Sequence, residues 1–235
     1  MFRRYVSKLL TDLKITKIDF LVISHPHIDH VGGFPALCAL YPVGECYYSG
    51  LEYPGQYYEG FTRAMESHKI PVHIVKDGDS FMFGEKVKCD ILWPEGNFEY
   101  PDGYPENSTQ FVNDTSIALK MTYGGSTALF CGDLYRSAER GLIAKHKDEL
   151  RSDVAKANHH GNDTSNSLSW IKAVNPKIVY AMNDKIGSMA VYKQYTKNGV
   201  TKFYHSAENG TIKITMDDKK DYEVQTQFES WLTAN

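Results

Sequence analysis

Three histidines and an aspartate, His25, His27, Asp29 and His30, fall within the six residues His-Pro-His-Ile-Asp-His. The chain has nine histidines in 235 residues, so three in one such stretch point to metal ligation rather than to an ordinary polar loop. Neutral imidazole nitrogens together with a carboxylate oxygen suit zinc, and manganese or iron where oxygen donors take a larger share. Two later clusters offer the same chemistry. Asp133 closes Phe130-Cys131-Gly132-Asp133, and His159-His160-Gly161 follows the apolar stretch 153–157. A glycine ahead of Asp133 lets the backbone turn tightly and aim the carboxylate back at a strand end. Together these clusters supply six ligands, enough for two metal ions, with the Asp133 carboxylate as the natural bridge.

Each cluster needs an element to hold it, and each stands just past an apolar run. Ile18-Asp19-Phe20-Leu21-Val22-Ile23 is β-branched and bounded by polar residues, so it reads as a buried strand with the ligands on the loop at its carboxyl end. In open α/β sheets that is where sites form. Apolar spacing predicts helices over 3–13, 33–40, 56–67, 135–146, 165–174 and 188–198, the fifth capped around Ser165 and Asn166, the last ended by Gly199. Strands are predicted over 18–24, 45–49, 72–75, 153–157, 177–181, 201–205 and 211–216. Antiparallel pairs are predicted for 80–83 with 86–93 and for 115–122 with 126–131. The stretch 94–113 reads as one long loop of the kind that is usually functional or disordered. Helices alternating with short strands, plus two hairpins, give an α/β protein of stacked layers. No linker divides it, so the expectation is a single domain over 1–235 with 217–235 as a C-terminal extension.

Composition narrows the function classes. A hydrophobic content of 42% supports a sizeable core, and a formal net charge of −3 gives no basic footprint for capturing nucleic acid by charge alone. A polyanionic substrate, nucleic acid included, must then be gripped locally by metal and a few side chains. Cys38, Cys46, Cys89 and Cys131 have no CxxC spacing and lie in apolar contexts, which predicts free buried thiols. No apolar run approaches the roughly 18 residues that span a bilayer, so no membrane segment is expected in this chain. His68, His73 and His146 have no supporting neighbours and read as solvated, and His205 reads as a structural histidine at a strand end. Tyr47, Tyr48, Tyr53, Tyr57, Tyr58, Tyr100 and Tyr104 fit surface packing better than a groove stacking on bases or a choline ammonium.

His25-x-His27-x-Asp29-His30 followed by Gly32-Gly33, then Cys131-Gly132-Asp133, then His159-His160-Gly161, resembles the metallo-β-lactamase fold hydrolases. More narrowly, Asn113-Asp114-Thr115-Ser116 and the run from Asp153 to Asn162 resemble the C-terminal hydrolase domain of ComEC-type competence proteins and the related choline-phosphate esterases. The resemblance implies a four-layer αββα fold and metal-assisted hydrolysis, with a phosphodiester as the leading substrate and another small ester, a lactone or a β-lactam as alternatives. A non-catalytic metal-binding remnant is the rival from another class. By the same resemblance His25 and His27 serve one metal, Asp29 and His30 the other, and Asp133 both, with His160 completing the second. The ions are two divalent metals, zinc first and manganese as the alternative. Asp29 would also orient the attacking hydroxide, and His159 would either support a ligand from outside the metal's own shell or contact the substrate. Asn113 or Asp114 stands where the family has a separate histidine. The family's first segment of about 50 residues, ahead of the ligand strand, is not in the sequence given, so the expectation is an N-terminally incomplete domain, as a fragment or from a wrongly chosen start, or a sheet edge covered by self-association. A Gly-His-Pro expected after 177–181 is replaced by Gly187-Ser188-Met189, leaving His205 as a substitute for the missing histidine.

Overall fold

The computed structural model describes residues 2–96, 98–99, 105 and 107–232, with side chains from Val6 onward. Two compact units make up the chain, Met1–Lys76 with Pro94–Ile117, and Asp77–Trp93 with Ala118–Asn235. Tyr100 and Tyr104 lie outside the described residues.

The first unit begins with helix α1 (Phe2–Asp12) and strand β1 (Ile18–Ile23), followed by the short helices α2 (Ile28–Val31) and α3 (Phe34–Leu40). Strand β2 (Val43–Tyr48), helix α4 (Gln56–Ser67), strand β3 (Val72–Ile74) and helix α5 (Thr109–Asp114) complete it. β1, β2 and β3 form a parallel sheet in that order, with Ile18 opposite Val43 and Cys46 opposite Val72. Parallel pairing needs crossover helices, and α3 and α4 supply them. Ile23, Cys46 and Tyr48 from the strands pack with Val31, Phe34, Leu37, Phe61 and Met65 from the helices, which fixes the end of β1 in a core.

The second unit contains strands β4 (Ser80–Phe83), β5 (Val87–Trp93), β6 (Ala118–Tyr123) and β7 (Ser126–Phe130), helix α6 (Arg136–His146) and strand β8 (Val154–Lys156). Helix α7 (Leu168–Val174), strand β9 (Ile178–Ala181), helix α8 (Met189–Thr196), strand β10 (Lys202–His205), helix α9 (Ser206–Asn209) and strands β11 (Ile212–Met216) and β12 (Tyr222–Thr226) follow. Seven strands form one sheet in the order β10-β9-β8-β7-β6-β5-β4, parallel from β10 to β7 and antiparallel from β7 to β4. β11 and β12 make a separate antiparallel pair whose Ile212, Ile214, Met216, Tyr222 and Val224 pack on Ala128, Val154, Ile178 and Tyr204.

The predicted elements are present with ends moved by a few residues, and the departures have local causes. The stretch 94–113 is not loop throughout, because Ser108 accepts from the Phe111 N–H at 3.2 Å and starts α5. The cap of α7 is Ser167, which accepts from the Trp170 N–H, rather than Ser165 or Asn166; Asn166 has a positive φ of 62° and hydrogen-bonds elsewhere. Residues 217–235 include β12. His146 is not solvated: its Nε2 lies 2.9 Å from Asp77 Oδ1 and its Nδ1 3.2 Å from Glu149 Oε2. His68 and His73 are exposed, His73 pairing with Glu45 at 2.8 Å. Among the described residues no helix is long and apolar enough to cross a membrane. The four thiols are buried, and burial pushes Cys46 up to about 12 and Cys38 and Cys89 up to about 11.

Candidate metal centre

In the first unit the buried end of β1 delivers the histidine cluster. His25 is fully buried, and its Nε2 lies 3.0 Å from His27 Nδ1. Its other nitrogen is held 3.1 Å from the hydroxyls of both Ser24 and Ser116. Ser24 Oγ also stands 2.9 Å from His30 Nδ1, so one hydroxyl orients two imidazoles. The remaining His30 nitrogen is 3.6 Å from Asp29 Oδ2. Two nitrogens bound to tetrahedral zinc at about 2.05 Å stand about 3.3 Å apart, so the facing His25 and His27 nitrogens fit one shared positive centre, a metal ion or a proton. The turn that presents Asp29 and His30 requires glycine at its end. A Cβ on Gly32 would meet the Ile28 carbonyl oxygen at 2.5 Å. His27, Asp29 and His30 thus stand close to His25 at the end of β1.

Asn113 and Asp114 stand at the end of α5, and Ser116 Oγ just beyond them reaches His25. Asn113 is buried, and its Oδ1 has no hydrogen-bond donor among the described residues. Tyr53 stands edge-on to His27 with ring centroids 5.6 Å apart, while Tyr47 stacks on His73 and Tyr48 binds the Leu51 carbonyl.

In the second unit the four parallel strands β7 to β10 end along one edge of the sheet. That edge carries the turn after β7 with Asp133, the turn after β8 with His159 and His160, Met182 after β9, and His205 closing β10. His160 Nδ1 lies 2.7 Å from the Met182 carbonyl oxygen. A carbonyl only accepts, so Nδ1 carries the proton and Nε2 of the neutral ring carries a lone pair. That Nε2 faces Asp133 Oδ2 at 3.1 Å. Two such atoms so close need a positive centre between them, a metal ion or the second proton of an imidazolium, and a metal ion held by a backbone-oriented histidine and a carboxylate is an arrangement proteins use. The donor set fits a divalent cation.

The backbone here is strained in the way functional sites are. His159 and His160 have φ of 46° and 55°, left-handed values that cost of order 1–3 kcal/mol each outside glycine. His159 Nδ1 is 2.6 Å from Thr164 Oγ1, and its ring lies 4.9 Å from that of Tyr135. Lys156 is buried and donates to the Gly132 carbonyl at 2.7 Å, the Ala157 carbonyl at 3.3 Å and Asp133 Oδ1 at 3.3 Å. Sequence reasoning missed Lys156, although a lone charge inside Val-Ala-Lys-Ala, an otherwise apolar strand, is the visible trace of it. It also missed Ser24 and Ser116, whose hydroxyls carry no periodicity signal. His205 is buried; its Nδ1 accepts from the Ala207 N–H at 3.1 Å, and burial pushes the imidazole below its usual range.

Comparison with known proteins bears on the fold. Residues 3–93 match the metallo-beta-lactamase superfamily. The mixed α/β architecture is found in solved structures at 14% identity, which share the fold. One is CmlA, a diiron beta-hydroxylase from Streptomyces venezuelae, with a TM-score of 0.52 over 80% of this chain and 44% of that one. Another is Igni18, a metallo hydrolase from Ignicoccus hospitalis, with a TM-score of 0.50 over 92% and 83%. The chain therefore has the metallo-β-lactamase fold.

Among curated proteins it is similar to Competence protein ComA of Neisseria gonorrhoeae, 31% identical over 78% of this chain and 22% of that protein. It is 24% identical to ComE operon protein 3 of Bacillus subtilis over 72% and 20%. The competence-type resemblance read from the motifs is borne out. The chain spans about a fifth of the length of the curated relatives it matches.

Proposed function

We propose that this chain is a metal-dependent phosphodiesterase using two divalent cations, zinc first, with His25, His27, Asp29, His30, Asp133 and His160 as ligands. The observation that carries the reading is the His160 and Asp133 pair. An imidazole held at Nδ1 by the Met182 carbonyl turns its Nε2 to a carboxylate oxygen 3.1 Å away, an arrangement suited to a cation. When bound, two such ions make hydroxide available near neutral pH and polarise the group under attack.

The chain's own residues do the rest. Ser24 and Ser116 hold the His25 ring, Ser24 also holds His30, and Lys156 fixes one oxygen of Asp133. Asp29, whose side chain is half exposed, accepts a hydrogen bond from the attacking water and so orients it. His159, tied at Nδ1 to Thr164, contacts the substrate. A phosphodiester is preferred over other esters, lactones and β-lactams on the strength of the competence-type motifs Asn113–Ser116 and Asp153–Asn162. Charge capture plays little part in a chain of net charge −3.

Metal analysis of purified protein should give near two equivalents per chain. Hydrolysis of bis-p-nitrophenyl phosphate should vanish in His27→Ala and Asp133→Ala. Retained turnover in both variants, each still folded, sinks the assignment. Turnover of lactones or β-lactams with none of the phosphodiester replaces the substrate class.

A further inference from the structure

The second unit holds a buried carboxylate that the hydrolytic reading leaves unused. Glu139, in the first turn of α6, is fully buried. Its Oε1 accepts from Asn158 Nδ2 at 2.9 Å and from the Asn166 N–H at 2.5 Å, and its Oε2 accepts from the Ser167 N–H at 3.0 Å. These three donors belong to the two ends of one segment. Asn158 immediately precedes the strained pair His159 and His160, and Ser167 is the cap of α7. Asn166 closes the same segment from within, donating from Nδ2 to the carbonyls of Asn158 and Asn162 at 2.9 Å each, and accepting from the Asn158 N–H at 3.1 Å. The Tyr195 hydroxyl donates to the same Asn166 oxygen at 3.0 Å. A further bond, from the Arg136 N–H to the Thr164 carbonyl at 3.2 Å, ties the segment to the start of α6.

Burying a carboxylate is costly unless it is well hydrogen-bonded, and a left-handed conformation at two consecutive histidines persists only where the surroundings over-determine it. Both costs fall on the same ten residues. We infer that Glu139 is a positioning residue for metal binding: it clamps the 158–167 segment so that the His159–His160 turn keeps the backbone that aims His160 at Asp133. This inference rests on the proposed metal reading. The chemistry asks for Glu at this position. All three groups around it are N–H donors, so a glutamine amide would set its own NH₂ against one of them, and with Oε1 kept in place the bond lost is the one to Ser167.

Cobalt(II) titration of the whole chain, followed by visible absorption, tests the clamp. Wild type should take up cobalt with a saturable ligand-field spectrum. Glu139→Gln, shown to be folded by circular dichroism, should bind about 10–100-fold more weakly, the range for outer partners of metal ligands, with an altered band shape. Tyr195→Phe, which removes one bond to Asn166, should weaken binding by a smaller factor in the same direction. A folded Glu139→Gln with wild-type affinity and spectrum overturns the inference while leaving the metal reading intact. Absence of cobalt uptake by wild type overturns the metal reading itself, and this inference with it. Where Glu139→Gln does not fold, Tyr195→Phe decides: an unchanged affinity and spectrum refutes the clamp.

Discussion

Lys156→Met keeps the length of the side chain and removes its charge, and the structure sets the cost. The ammonium stands 3.3 Å from Asp133 Oδ1 with both side chains buried. At an effective dielectric constant near 20, that separation gives about 5 kcal/mol of attraction. Breaking a buried pair by removing one partner typically costs about 3–5 kcal/mol, because the other charge stays behind without its counter-charge on that side. The carbonyls of Gly132 and Ala157 lose a donor in the same step. At about 2–4 °C per kcal/mol for a chain of this size, metal-free Lys156→Met should melt roughly 6–20 °C below wild type. Paired melts in chelator and in saturating zinc check the assignment further. A cation on Asp133 supplies the missing counter-charge, so zinc should narrow the gap by at least half. A gap below about 2 °C in chelator would refute the claim that Lys156 compensates Asp133.

Gly32→Ala places a Cβ 2.5 Å from the Ile28 carbonyl oxygen. It should destabilise by about 1–3 kcal/mol and weaken metal binding through Asp29 and His30, as read by denaturant melts and zinc titration. His205 titrates below its unfolded value because of burial. Its contribution to stability is therefore present above about pH 6.5 and is lost as pH falls through the depressed folded value. Between pH 7 and 5 the metal-free His205→Gln variant should lose less stability than wild type, and equal losses would contradict this. The buried thiols, with Cys46 near 12 and Cys38 and Cys89 near 11, should resist Ellman's reagent at pH 8. All four should react once the protein is unfolded in guanidinium.

How much of this was legible beforehand depended on the kind of signal. Strands such as 18–23 and 178–181 were readable because continuous apolar runs bounded by polar residues survive as local patterns. The ligands were readable because histidine is scarce and dense runs of it stand out. The scaffold behind them was not. Glu139 sits among the polar residues of Arg-Ser-Ala-Glu-Arg, indistinguishable from a solvated helix face, and its three donors come from residues 19 to 28 positions away. His146 was misread for the same reason, since its partner Asp77 is 69 positions earlier in the chain and pairing at that distance leaves no periodicity. Helix α5 was hidden by the prolines and glycines before it, although Ser108 carries an ordinary cap.

The β11–β12 pair bears on how the second unit is made. Its apolar side covers Ala128, Val154, Ile178 and Tyr204, one from each of the four parallel strands, and the Gly125 N–H at the β6–β7 turn donates to the Asp218 carbonyl at 2.7 Å. That face of the sheet stays open to solvent until residues 212–226 have emerged from the ribosome. A nascent chain of which residues up to about 205 have emerged, with 212–226 still in the exit tunnel, would display the apolar face of four adjacent strands to chaperones and to neighbouring chains. Aggregation during synthesis, more than unfolding afterwards, is then the hazard this topology carries.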